Sequence, residues 1–292
     1  MSRARRQEAF QGYLLVAPIL ILFAGLVVYP FFNAIWLSMT DKIIGVPGKF
    51  VGLQNYAYLL RWPDFERMFF NTWTIAIVGV ALKFVIGMGA ALLLNQQFPG
   101  RMFVRGIFML PWALPTFVAT LTWRWLYDYD NGVFSTVLLS LGLIQERISF
   151  LGNPNLALPA IIALVVWKGF PFFSISYLAG MQGIPSEQYE AAQMDGANVI
   201  QQFLFITLPS LRPVILITCL LSTIWTSNTF EMVYLLTGGG PSNRTQVFTV
   251  MAYKLGVVNA RIGEAAAVPM MFFPLLLGLI VIVSRYMLQE DK

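Results

Sequence analysis

Six long apolar runs separated by polar or Gly/Pro-rich segments dominate the pattern of this chain, near residues 12–38, 69–94, 104–127, 156–180, 210–236 and 264–287. Each suffices for a helix of about 20 residues, the length that crosses a bilayer with its backbone hydrogen bonds met internally. The pattern therefore predicts an all-α membrane protein with six transmembrane helices. Prolines within the runs (Pro18, Pro30, Pro111, Pro115, Pro171 and Pro269) predict kinks, because each removes an amide donor and frees a carbonyl one turn back. An uncharged stretch from Ala9 to Thr40 follows Arg3, Arg5 and Arg6. It is much longer than the apolar core of a cleavable signal, about 7–15 residues, and reads as a retained first span.

Six spans put both termini on one side. With the termini inside, the inner segments carry Arg3, Arg5, Arg6, Arg101, Arg105, Arg212, Arg285 and Lys292. The outer segments carry Lys42, Lys49, Arg61, Arg67, Arg124, Arg147, Arg244, Lys254 and Arg261. The outer segments are longer, so basic density favours cytoplasmic termini. The domain reading is a cytoplasmic N-terminus at 1–11, one transmembrane domain at 12–287 with an inner loop at 181–209, and a cytoplasmic C-terminus at 288–292.

Composition strengthens the membrane reading: the 292 residues are 58% hydrophobic and only 11% charged, against about 25% charged in soluble domains. The net charge of +5 is spread over loops and span ends, which argues against a nucleic-acid-binding face. One cysteine, Cys219, and no histidine remove disulfides, Cys/His metal sites and histidine-based catalytic triads, so no metal or catalytic residue is expected. No G-x-x-x-x-G-K-[ST] phosphate loop occurs; GGGPSNRT lacks its Lys-Ser/Thr end.

Between the fourth and fifth runs lies GIPSEQYEAAQMDGANVIQQFLFITLPSLRP. Here Ser186 is expected to cap a helix carrying Glu187 and Glu190 in its first turns, Gly196 to turn the chain, and NVIQQFLFITL to form a second helix ended by Pro209. Ala191, Ala192 and Gly196 leave a thin surface that another protein can approach, and Glu190 and Asp195 offer it charge. An ordinary interfacial loop is the plainer reading of the same residues.

Glu190-Ala191-Ala192, Asp195-Gly196-Ala197, Phe203, Ile206, Leu208-Pro209 and Pro213 resemble the EAA loop of ABC importer permeases. FVGLQNY (50–56), RGIFMLPWALP (105–115) and YLLTGGGP (234–241) extend the likeness over almost the whole chain, toward the maltose-type permeases of the carbohydrate-uptake branch. The resemblance implies that the loop is a cytoplasmic coupling helix seated on a separate ATPase subunit, with Glu190 facing a basic residue and Ala191, Ala192, Asp195 and Gly196 completing the contact. It also implies two ATPase subunits that bind ATP and Mg, a second homologous permease, an extracytoplasmic solute-binding protein and a bacterial inner-membrane location. This chain itself would bind no cofactor and catalyse no reaction.

Charges at membrane depth are costly and mark candidate functional positions. Lys83, in span two, reads as a structural residue whose ammonium snorkels or meets a carboxylate of another helix. Lys168 precedes Gly169 and Pro171, which are expected to break span four and expose backbone to a cavity. In span five Ser222, Thr226 and Thr229 recur at spacings of four and three and are expected on one helix face. Each hydroxyl alone is better read as bonded to a carbonyl one turn back. Together with Trp225, Asn228 and Glu231 they supply the polar and aromatic surface that suits a sugar. The resemblance independently places Lys168, Gly169, Phe172, Ser222, Thr226 and Thr229 on the sugar cavity, although Lys168, and Thr where such permeases can have Asn, depart from the family pattern.

The expected function is thus a sugar or oligosaccharide permease working by alternating access in an ATP-driven importer. The alternatives are an ion-coupled secondary transporter using Lys168 and Glu231, or an ABC permease for a polyol or glycerol phosphate.

Overall fold

A computed structural model describes residues 3–290, with side chains from 13 to 287. The side chains of the terminal segments at 1–11 and 288–292, including the basic groups of Arg3, Arg5, Arg6 and Lys292, therefore lie outside the described residues. In chain order the helices are α1 (Arg3–Phe23), α2 (Tyr29–Ser38), α3 (Gln54–Leu60), α4 (Phe65–Asn95), α5 (Arg101–Ala113), α6 (Thr116–Leu126) and α7 (Val133–Ser140). There follow α8 (Ala157–Gln182), α9 (Ser186–Met194), α10 (Val199–Gln202), α11 (Leu208–Ser210), α12 (Arg212–Ser227), α13 (Phe230–Thr237), α14 (Phe248–Tyr253) and α15 (Ile262–Glu290). Among the described residues four helices are long and apolar enough to cross a membrane, and six if each of two bent pairs is one span.

The prolines act differently from one another. Widened π-helical turns at Ala24–Val28 and Phe203–Thr207 stand just before Pro30 and Pro209, where an extra residue makes room for a ring that would otherwise meet the preceding turn's carbonyl. Pro111 and Pro115 together break span three: α5 and α6 meet at 91°. Pro171 does not break span four, contrary to the expectation, because α8 runs unbroken through it. Two local expectations also fail in the loop between spans four and five. Ser186 is the first helical residue, preceded by Pro185 at the capping position without a side-chain cap. The second arm runs through Pro209 to Ser210 and bends by 66° into α12.

Two compact units divide the chain, Met1–Trp62 with Met251–Pro274, and Pro63–Val250 with Leu275–Lys292. In the first, the Asn55 amide of the FVGLQNY segment donates to Ser38 O and Thr40 O, both at 2.8 Å. Those carbonyls follow the last turn of α2, so one buried side chain fixes the exit of the first span. Gly263 leaves the space this turn needs: a Cβ there would lie 1.9 Å from Thr40 O.

The second unit is built on α4 against α8. Gly87 permits their close approach, since a Cβ at that position would stand 2.4 Å from Phe173 Cβ. Around this seam one cluster gathers Ile75, Ile161, Leu164 and Val165 with Val233 and Val250. Another gathers Leu94, Phe173, Tyr177, Met181 and Leu211. The glycines of YLLTGGGP turn the chain after α13, with φ of +60° at Gly238 and +92° at Gly239. Asn71 of α4 then anchors the returning loop by donating to Arg244 O at 3.0 Å and Gln246 O at 2.9 Å.

Candidate functional site

A cavity of about 700 Å³ opens in the second unit, within the range of small-molecule sites. Its wall takes Lys83 from α4, Trp112 and Leu114 to Thr116 from the α5/α6 break, Val165, Lys168, Gly169 and Phe172 from α8, and residues between Ser222 and Met232 at the junction of α12 and α13. Lys168, Gly169, Phe172, Ser222, Trp225, Thr226, Asn228, Thr229 and Glu231 all line it, so every residue singled out for substrate contact falls on one cavity.

The α12/α13 junction differs from the expected continuous face. Helix α12 ends at Ser227, and Asn228 and Thr229 are non-helical before α13 begins. Thr229 is thus brought beside Thr226 by a break in the chain. The break also leaves Asn228 and Glu231 exposed. Trp225 packs edge-to-face on Phe172, ring centroids 5.2 Å apart, and is itself exposed. An aromatic face beside amide, hydroxyl and carboxylate groups can stack on the C–H side of a pyranose and bond its hydroxyls.

Lys168 has a structural partner that its sequence context does not reveal. Its Nζ donates to Leu114 O at 2.6 Å, with Pro111 O and Trp112 O at 3.4 and 3.5 Å. These carbonyls lack helical donors: Pro115 has no N–H for Pro111 O, and the 91° bend removes the next residue's amide from Trp112 O. A cation at the carbonyl end of α5 also opposes the negative end of its helix dipole. The broken element is therefore span three, and a lysine of unbroken span four holds it.

Lys83 is buried, 5% exposed, and meets no carboxylate. Its Nζ donates to Thr226 Oγ1 at 2.8 Å and Ser222 Oγ at 3.3 Å. Gly169 creates its channel: a Cβ there would lie 2.6 Å from Lys83 Cε and 3.1 Å from Nζ. Lys83 also lines the cavity, where, contrary to the expectation, it neither snorkels to an interface nor meets a carboxylate but bonds to two hydroxyls. Trp112, Leu114, Pro115, Thr116, Val165, Phe230 and Met232 were likewise not among the expected lining residues. For residues 112–116 a signal existed, since two prolines four apart flank a tryptophan in RGIFMLPWALP.

The segment bearing Glu190 forms a separate feature. Helix α9 carries Glu190 and Ala191, both exposed, with Ala192 half-buried. Asp195 ends it and Gly196 turns the chain at φ +82°. Asn198 then starts α10 in a reciprocal capping box with Gln201, and Tyr189 OH, 2.8 Å from Thr207 Oγ1, ties the two arms together. Met194, Val199, Ile200 and Phe205 around this turn are 69–88% exposed. Apolar side chains clustered on a rigid, polar-flanked turn make a surface suited to a protein partner.

Comparison with known proteins gives a consistent picture. The description "Binding-protein-dependent transport system inner membrane component" matches residues 83–290. The chain is 36% identical to the trehalose/maltose transport system permease protein MalF of Thermococcus litoralis, over 96% of this chain and 95% of that one. It is 34% identical to the sulfoquinovosyl glycerol transport system permease protein SmoG of Agrobacterium fabrum, over 95% and 90%. Its fold is similar to a chain of a bacterial ABC transporter involved in the import of the acidic polysaccharide alginate, with a TM-score of 0.85, 25% identity and complete coverage of both chains. Matched over most of its length and multiply spanning, the chain belongs to the family of inner membrane components of binding-protein-dependent transport systems, the non-catalytic permease subunits of ABC importers.

Proposed function

We propose that this permease carries a sugar or oligosaccharide through the cavity between α4, α5, α6, α8, α12 and α13, driven by ATP hydrolysis on separate subunits. The observation that carries the reading is the lining itself: Trp225 and Phe172 offer ring faces, while the exposed Asn228 and Glu231 and the half-buried Thr229 bring hydrogen-bonding groups to the same wall. Gly169, Ser222 and Thr226 act one layer behind, holding Lys83, and Lys168 both lines the cavity and holds the α5/α6 bend. The relatives named for trehalose/maltose and for sulfoquinovosyl glycerol support a saccharide class.

In this reading residues 12–287 work as one permease domain beside a second, homologous permease, with both termini in the cytoplasm. Glu190, Ala191, Ala192, Asp195 and Gly196 seat on one of two ATPase subunits, which bind ATP and Mg, and an extracytoplasmic binding protein delivers the sugar. Closure of the ATPases moves α9, and the permeases rock between outward- and inward-facing cavities. Linkage requires the reverse as well: a loaded binding protein docked outside promotes ATPase closure inside.

Purifying the tagged chain from native membranes in mild detergent and identifying its companions by mass spectrometry tests the assembly. A P-loop ATPase and a second permease are expected in stoichiometric amounts. Recovery of this chain alone, under conditions that keep known importers intact, would count against the reading and favour an ion-coupled carrier.

A further inference from the structure

The charge inside the cavity is unbalanced. Its lining includes two ammonium groups, Lys83 and Lys168, and one carboxylate, Glu231. Lys168 is accommodated by the carbonyls that α5 leaves free. Among the described residues Lys83 has only the neutral hydroxyls of Thr226 and Ser222 as hydrogen-bond partners. An ammonium carries three N–H donors, so one is left over at the cavity wall. Three helices are shaped around this group: α4 supplies it, α12 supplies both hydroxyls, and Gly169 of α8 gives up a side chain to make its channel.

A desolvated cation is an expensive way to bind a neutral hydroxyl, which Asn228, Thr229 and the hydroxyls of Ser222 and Thr226 could bind without charge. The cation gains most against a partner of opposite charge, and a neutral solute would leave it unpaired.

We propose that Lys83 is a specificity-determining residue and that the transported solute is a saccharide bearing an acidic substituent, carboxylate or sulfonate, which takes the remaining N–H of Lys83. This rests on the saccharide-importer reading and narrows it. Ser222 and Thr226 are then positioning residues, holding the ammonium toward the cavity until the anion arrives. The aromatic faces of Trp225 and Phe172 contact the apolar side of the same sugar ring.

The test uses the complete complex, this chain with its ATPases, second permease and binding protein, in proteoliposomes. ATP-driven uptake is compared for matched oligosaccharides ending in glucuronate or in glucose, with wild type, Lys83→Gln and Lys83→Arg sharing one binding protein. The glucuronate-terminated sugar is expected to lose about ten- to hundredfold in Lys83→Gln, the span of one charge-assisted hydrogen bond. The glucose-terminated sugar should lose much less, and Lys83→Arg should retain the preference. An unchanged ratio of the two uptakes in Lys83→Gln would overturn the proposal.

Calorimetric titration of the wild-type permease–ATPase complex, without binding protein, covers the case in which Lys83→Gln fails to assemble. Tighter binding of glucuronate than of glucose supports the anion site, and equal binding overturns it. Absence of ATP-driven uptake for either sugar in wild type would instead remove the importer reading, and this proposal with it.

Discussion

Replacing Lys168 with methionine is expected to cut ATP-driven uptake to below about a tenth of wild type and to lower the thermal stability of the purified complex. The stability loss follows from the carbonyls of Pro111, Trp112 and Leu114, which the α5/α6 break deprives of helical donors and which Lys168 collects. The Pro111 contact is half-buried and those at Trp112 and Leu114 are exposed, so water replaces part of the lost donor and the stability cost stays near the low end for an unmet acceptor, about 1 kcal/mol. The uptake loss follows because the bend places Trp112, Pro115 and Thr116 on the cavity wall; a wall displaced by a fraction of an ångström no longer fits its solute. Arginine at 168 keeps the charge and several donors, so Lys168→Arg should recover part of both losses. Wild-type uptake and melting temperature in Lys168→Met would show that the three contacts are incidental.

Charge reversal at Glu190 is the second large effect. Glu190 is exposed on α9 and makes no ion pair among the described residues, so Glu190→Lys should leave the permease fold intact. In the proposed assembly Glu190 faces a basic residue of the ATPase, so the reversal replaces an attraction with a repulsion beside the exposed Met194, Ile200 and Phe205. Breaking a desolvated interfacial charge pair costs about 2–5 kcal/mol, which corresponds to a drop in affinity of about thirtyfold to several thousandfold. Co-purified ATPase should fall accordingly and sugar-stimulated ATP hydrolysis with it, while the melting temperature of the isolated permease stays unchanged. Normal ATPase recovery and uptake in Glu190→Lys would remove α9 from the coupling surface.

Both effects bear on what the sequence could reveal. Long apolar runs made the six-span organisation legible, because apolar length is the direct requirement of the bilayer. The polar residues expected on the cavity (Lys168, Ser222, Thr226, Asn228, Thr229 and Glu231) stood out because polar groups in such runs are costly, Trp225 because it lies among them, and Gly169 and Phe172 were placed there by the resemblance to maltose-type permeases. What the sequence hid was which helix breaks. A single proline can be absorbed within a helix, as Pro171 is in α8, whereas Pro111 and Pro115 act together, and only the fold shows that Lys168 comes to the carbonyls they free. The helix end after Ser227 was equally hidden. No proline or glycine marks it, and Ser222, Thr226 and Thr229 fit an unbroken helix by spacing alone. The partner of Lys83 was misjudged because a carboxylate is the common counterion of a buried lysine, while here two hydroxyls serve across helices far apart in sequence.

The central claim, that this chain forms part of the passage for a saccharide moved by ATP hydrolysis elsewhere, is tested most directly by transport in a defined system. Proteoliposomes holding the purified complex would be given the loaded binding protein outside, ATP and Mg inside, and radiolabelled oligosaccharides ending in glucose or in glucuronate. Accumulation that requires ATP, binding protein and this permease together is the expected result. Accumulation driven by an ion gradient without ATP, in liposomes holding this chain alone, would contradict the account.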